Sequence, residues 1–224
     1  MSSNFRVKLN ILTPFYLSHT LTLDGLLAAA IYNKMGLLGA DAIPYIPLDS
    51  VSGIFKASSL AFEKRYRLMS FGRIMSLRGE NDLSVNVFAP NRRGGKGYVF
   101  VDKKRGQYKS NLQTYPGIFS REVFFWGVGD PDKVSHLIKN FILGIGKRCN
   151  AGAGEIADVE VTVIDEDLSW ITKEGKPARP LPAEVWSSLE IEGRKEWPVI
   201  PHAVTVPYWS GNLCSAVVPE ILTN

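Results

Sequence analysis

One succession of patterns occurs twice in this chain, and that repetition constrains its fold more than any other feature. Residues 5–12 alternate apolar Phe5, Val7, Leu9 and Ile11 with polar Arg6, Lys8 and Asn10, the period of a half-buried strand. Residues 23–35 then place Leu23, Leu26, Leu27, Ala30 and Ile31 at helical spacing, with Asp24 available to cap or charge the first turn and Gly36 to end the helix. Much later, residues 119–129 read as an aromatic strand buried on both faces. Asp130-Pro131-Asp132 follows as a cap, and Val134, Leu137, Ile138, Phe141 and Ile142 mark a second helix to about Leu143. A glycine-rich link leads to an alternating strand over residues 156–165. The order predicts an α+β chain with a ferredoxin-like (RRM-like) βαββαβ core.

Between the two halves, IPYIPLDSVSG is a proline-punctuated turn, and residues 52–67 read as a helix capped by Ser50 or Ser52. Residues 68–96 have weak periodicity and read as a loop excursion carrying Arg92 and Arg93 ahead of Gly94-Gly95. GYVFVDKKRGQYKSNLQTY has the pattern of a hairpin with Lys103, Lys104, Arg105 and Gly106 at its tip and Lys109 just beyond. The last 60 residues are rich in proline and tryptophan, which predicts irregular segments and a strand or two laid on the core. A chain of 224 residues is expected to form one domain, with a core over about 4–164, a basic insertion over about 64–115 and a C-terminal extension over 165–224.

Composition narrows the function. Hydrophobic residues make up 45% and charged residues 21%, as in a core-forming globular protein. Apolar runs near ten residues fall short of the roughly 20 that a membrane-spanning helix requires. The N-terminus, MSSNFRVKLNILTPF, lacks the basic and apolar regions of an export signal, so a cytoplasmic protein with no membrane partner is expected. Two cysteines, Cys149 and Cys214, make neither a disulfide framework nor a four-ligand zinc site.

Charge is segregated. Between Lys56 and Lys109 lie 13 of the 26 basic residues and 4 of the 22 acidic ones, a net of +9 that leaves −5 for the rest. A polyphosphate partner rewards such segregation, because each neutralised phosphate releases a counterion. The basic region interleaves Tyr66, Phe71, Tyr98 and Tyr108 with its cations, and Tyr66 and Tyr108, flanked by bases, are the stacking candidates.

The glycine-rich link is the most specific motif. Gly144, Gly146, Gly152 and Gly154 permit close backbone approach to a phosphate, and Lys147 and Arg148 supply charge. A Walker loop follows a strand, precedes a helix and reads GxxxxGK[ST]; here the order is inverted and Arg148 follows Lys147, which disfavours nucleotide hydrolysis. No cofactor is implied. Of the three histidines, His136 falls beside the apolar stripe of the second helix and His202 in the tail, while His19 precedes the first helix. The run Asp165-Glu166-Asp167 reads as a solvated strand end rather than a metal site.

Helix, glycine loop and closing strand together resemble the RAMP superfamily of CRISPR ribonucleoprotein subunits. IPLDSVSGIFKAS is similar to the family's I-P-G-S-S-x-K-G-x-x-R helix-entry pattern through Ile46, Pro47, Ser50, Val51, Gly53 and Lys56, and departs from it at Leu48-Asp49 and Ser52. The helix start LDGLLA resembles that of the small, Cas-five-like subunit of type IV CRISPR effectors. The resemblance implies a non-catalytic subunit that binds the 5′ handle of a guide RNA (crRNA) beside a filament-forming backbone subunit and a large subunit, with target DNA as a further candidate partner. Gly144, Gly146, Lys147, Arg148, Gly152 and Gly154 would line the handle-binding cleft. The hairpin bearing Lys103, Lys104 and Arg105 would be the protruding thumb. Some RAMP proteins are metal-independent RNases, and the alternative implied is a repeat-cutting endoribonuclease with His19 as its general acid or base.

Overall fold

The computed structural model describes residues 2–17, 20–75, 110–191, 196–220 and 222–223. They fall into two compact units, one of residues 1–68 and 118–224, the other of residues 69–117.

The first unit opens with β1 (Ser3–Ile11), whose side chains alternate between buried and half-buried as their period of two requires. Helix α1 (Leu23–Met35) follows, capped by the Thr22 hydroxyl, which accepts from the Gly25 N–H. Asp24, expected to cap or charge the first turn, lies in that turn and is fully buried. A 3₁₀ stretch, Gly39–Tyr45, then leads into a short hairpin of β2 (Ser50–Val51) and β3 (Ile54–Phe55), followed by β4 (Ala61–Phe62).

No helix forms over 52–67. Ser52 and Gly53 both take positive φ, 53° and 77°, the conformation of a two-residue hairpin turn. The apolar residues beyond it serve the sheet: Ala61 and Phe62 pair with Phe124 and Val123. Apolar residues at short, uneven intervals fit a helix and a chain of brief strands equally well.

Two further strands, β5 (Arg67–Met75) and β6 (Asn111–Phe119), pair in a two-stranded sheet that accounts for the described part of the second unit. Residues 68–75, expected in a loop, are therefore strand. β6, whose first residues form the far end of the expected hairpin, pairs with β5, and the rest of that hairpin, residues 97–109, lies outside the described residues.

The chain returns through β7 (Glu122–Gly129), helix α2 (Pro131–Phe141) and β8 (Ile156–Val163), close to the limits the pattern predicts. The Asp130 carboxylate accepts from the Lys133 N–H at the N-terminus of α2, and that bond holds its pKa below the usual carboxylate value. Strand β1 runs antiparallel to both β7 and β8, with Val7 opposite Phe125 on one side and Val161 on the other. Phe5, Val7, Leu9, Val123 and Phe125 pack with Leu23, Leu27 and Ile31 of α1 and Val134 and Ile138 of α2 in the main core. Alternation sends Arg6, Lys8, Phe124, Trp126 and Thr162 to the other face of the sheet. Lys8 is held there by Glu160 at 2.9 Å and Glu122 at 3.7 Å.

The C-terminal segment is more ordered than its composition predicts. Strand β9 (Leu181–Pro182), helix α3 (Ala183–Ser188), β10 (Val199–His202) and β11 (Cys214–Val217) form a three-stranded sheet, order β10-β11-β9, over a small core of Trp170, Leu181, Trp186, Val217 and Ile54. The final strand, β12 (Leu222–Thr223), runs parallel to β4 and completes a five-stranded sheet of order β12-β4-β7-β1-β8. Among the described residues no single helix is long and apolar enough to cross a membrane.

A buried ionic cluster ties this segment to α1. The Arg179 guanidinium, with no exposed surface, donates to the Asp24 carboxylate at 3.2 Å, the Val204 carbonyl at 2.8 Å, the Tyr208 hydroxyl at 2.8 Å and the Phe55 carbonyl at 2.6 Å. The Tyr208 hydroxyl donates to Asp24 at 2.8 Å. Burial disfavours charge on Arg179, but Asp24 and Tyr208 together more than offset it and the guanidinium holds its proton more tightly than usual. Burial and the Asp24 charge push the Tyr208 phenol well up, so it remains a donor.

Candidate nucleic-acid interface

The link between α2 and β8 is anchored almost entirely through backbone atoms. Gly154 N–H donates to Pro14 O at 3.0 Å, Ile145 N–H to Gly154 O at 2.9 Å and Lys147 N–H to Tyr16 O at 2.8 Å, which zips the link onto the chain leaving β1. Thr13 adds the side-chain tie, its hydroxyl donating to Gly152 O at 2.7 Å and accepting from Glu155 N–H at 3.0 Å. Gly154 lies at φ +64°, and a Cβ there would stand 2.1 Å from Ile145 O and 2.9 Å from Phe15 Cβ, so only glycine lets the two strands of the link close. Gly144 is used the same way, since its Cβ would meet Gly154 O at 2.9 Å.

Gly146, though exposed, is a third close-approach glycine, at φ +80° with a Cβ that would stand 2.4 Å from Tyr16 O, whereas Lys147 and Gly152 are exposed and Gly152 meets nothing within 4 Å. Arg148 is half-buried and sits at φ 64°, ψ 30°, in the left-handed region that costs a side-chain-bearing residue about 1–2 kcal/mol. The surrounding loop imposes that conformation, through Ala151 N–H and Ala153 N–H donating to Arg148 O at 2.8 and 3.3 Å. The neighbouring Cys149 thiol, which touches Gly146 O at 3.2 Å, has its pKa raised by burial and is not an activated nucleophile.

Beside the loop runs a cleft of about 640 Å³. The first turns of α1 supply one wall through Gly25, Leu26 and Ala29, the loop supplies the other through Gly144, Gly146 and Lys147, and Tyr16 and Leu17 lie between. A groove with an apolar interior and a cation at its lip suits a chain that carries flat apolar groups on a charged backbone.

Other candidates fall elsewhere. Tyr66 is half-buried against the core, its ring 5.2 Å from that of Phe62. Lys56 pairs with Asp167 at 3.1 Å and lies 4.3 Å over the Trp170 ring, a structural role. His136 takes an Asn140 Nδ2 contact at 3.1 Å on its own helix, and His202 contacts Ala203 O at 2.6 Å. Arg92, Arg93, Lys103, Lys104, Arg105, Lys109, Tyr108 and His19 lie outside the described residues. Among the described residues no group of three or more His, Cys, Asp or Glu is placed to hold a metal ion. Tyr16 was missed by sequence reasoning, because nothing in its local pattern marks a residue whose carbonyl is bridged to a loop 131 positions away, at Lys147.

The model of the family described as CRISPR type IV associated protein Csf3 matches residues 3–219 of the chain. No curated protein matches it. Among solved structures, a chain of "Cryo-EM structure of the Type III-B Cmr-beta bound to cognate target RNA" is similar over 72% of this chain, at 11% identity and a TM-score of 0.39, a likeness too loose to support an argument. The match covers 61% of that chain, less than two thirds of its length.

Proposed function

Because this chain belongs to the CRISPR type IV associated protein Csf3 family, we propose that it is a non-catalytic RNA-binding subunit of a type IV CRISPR effector, capping the 5′ handle of the guide RNA and anchoring a backbone subunit and a large subunit beside it. The observation that carries this reading is the glycine loop. Exposed Lys147 stands at the lip of a cleft of about 640 Å³ whose interior is mostly apolar, and the backbone-constrained Arg148 follows it in the chain. Phosphates would meet Lys147 and Arg148 along the arc from Gly146 to Gly152, and bases would enter the cleft beside Tyr16. Gly144 and Gly154 keep the loop's shape. The strand order β8-β1-β7-β4, with α1 after β1 and α2 after β7, supports a ferredoxin-like core with this loop at its closing turn. The hairpin bearing Lys103, Lys104 and Arg105 would form the thumb that presses on the guide, and Lys109, Arg92, Arg93, Tyr66 and Tyr108 would be further RNA contacts.

Equilibrium binding to repeat-derived RNA tests the reading. The 5′ handle should bind more tightly than a scrambled RNA of equal length and composition, without being cut in EDTA. Equal affinity for both would remove it.

A further inference from the structure

A second cavity, of about 660 Å³, lies on the face of the sheet turned away from α1 and α2. Its floor is Arg6 and Trp126, which face each other directly across β1 and β7. Its wall is the chain that leaves β8 and folds back, contributing Asp165, Glu166, Lys173 and Glu174. That wall is fixed: Asn4 Nδ2 donates to Asp165 O and Ile164 N–H to Asn4 O, both at 2.9 Å, and Trp170 Nε1 donates to Phe55 O at 2.9 Å.

The lining discriminates among ligand classes. Lys173 is paired with Glu166 at 3.0 Å, which leaves Arg6 as the principal donor and the Asp165 and Glu174 carboxylates as acceptors. The Arg6 guanidinium lies 5.8 Å over the Phe124 ring, and its Nε–H is buried with no acceptor among the described residues. A buried donor without a partner is uncommon and calls for one. Three carboxylates against two cations disfavour a phosphate, and Arg6 opposes a purely cationic guest. A flat, apolar group with both an acceptor and an amine satisfies every wall, and the volume lies in the range of small-molecule sites.

We propose that this cavity takes one unstacked nucleobase bearing an exocyclic amine, its ring against the Trp126 indole, its carbonyl or ring nitrogen accepting from Arg6, and its amine donating to Asp165 or Glu174. Guanine presents that combination most fully, and uracil, which has no amine, least. The inference rests on the RNA-binding reading for its ligand class, but it shares no residue with the cleft at the glycine loop.

Fluorine NMR of the full chain labelled with 5-fluorotryptophan reads the site directly. The chain has five tryptophans, and Trp126→Phe assigns the resonance of interest. Titration with guanosine monophosphate should shift that resonance saturably, with uridine monophosphate weakest. Arg6→Met should weaken the response roughly tenfold, the scale of losing one good base contact, with the other resonances unmoved as a check on folding. Should that variant not fold, Asp165→Asn gives the same readout for guanosine. A Trp126 signal unmoved by all four nucleotides into the millimolar range overturns the proposal. So does a signal that answers an arginine-rich peptide instead, which would assign the cavity to a protein partner. The shift should persist in the Lys147→Ala/Arg148→Ala protein, so loss of handle preference and loss of this site are separate results.

Discussion

The glycine loop and the Arg179 cluster each tie distant parts of the chain together, one with backbone atoms and the other with buried side chains. In the loop, Pro14, Tyr16, Ile145, Lys147 and Gly154 exchange main-chain hydrogen bonds, and the Lys147 side chain is left in solvent. In the cluster, Asp24, Arg179 and Tyr208 spend their polar groups on one another and on the Val204 and Phe55 carbonyls, with nothing on Arg179 or Asp24 exposed. A charge can serve a ligand only where the fold has not already enclosed it. The cluster should therefore govern stability without touching RNA, and the exposed Lys147 should govern RNA without touching stability.

The sharpest way to break that contrast is at Arg179. Arg179→Ala leaves the Asp24 carboxylate buried without its cation, and chemical denaturation should show a loss of about 3–5 kcal/mol. Asp24→Asn combined with Arg179→Met removes both charges and should recover part of that loss. A single-variant loss below about 1 kcal/mol would mean that water or another cation reaches Asp24.

Next in size is a comparison inside the loop. Gly154→Ala adds a Cβ 2.1 Å from Ile145 O as well as requiring φ +64°, whereas Gly152→Ala, at φ +81°, meets nothing within 4 Å. The Gly152 change should cost only the left-handed penalty of about 1–2 kcal/mol, and the Gly154 change distinctly more. Equal melting temperatures for the two would contradict the assignment of Gly154 to packing. Arg148→Gly sharpens the point from the other side. It keeps the left-handed backbone conformation open while removing a cation, so RNA affinity should fall with the loop's shape retained.

The smallest effect is electrostatic. Burial pushes the Asp167 carboxyl up, but hydrogen bonds from Ser169 and Lys56 outweigh it, and its pKa lies below the ordinary 3.8. A folded pKa below the unfolded one stabilises the protein above the unfolded value and loses that contribution as pH falls through the folded value. The stability gap between wild type and Asp167→Asn should thus be constant above about pH 4 and narrow below it. A gap that widens on acidification would reverse the sign.

Much of the frame was legible in the sequence, for identifiable reasons. β1 and α2 carry a clean period over eight residues or more, α1 a long apolar run between a cap and a glycine, and β8 alternation from Val159 on, and each lies close to its expected limits. β2, β3, β4 and β9 have two residues apiece, too few to show any period, so residues 52–67 were open to misreading as a helix. The Arg179 cluster spans 155 residues to Asp24, and Tyr208 reaches Asp24 across 184, so no local pattern contains it. The glycine loop was legible as a motif. Which glycines close the backbone and which face solvent depended on the chain leaving β1, and Tyr16 drew no attention because its contribution is a carbonyl. Arg6 and Trp126 were in view as members of alternating strands, but only the register sets them side by side.

The most direct test of the central claim, that the loop's cations grip an RNA backbone, is the salt dependence of handle binding in wild type and in Lys147→Ala/Arg148→Ala. Losing two phosphate contacts to single-stranded RNA should make the slope of log Kobs against log salt shallower by about 1.4. Identical slopes and affinities for the two proteins would contradict it.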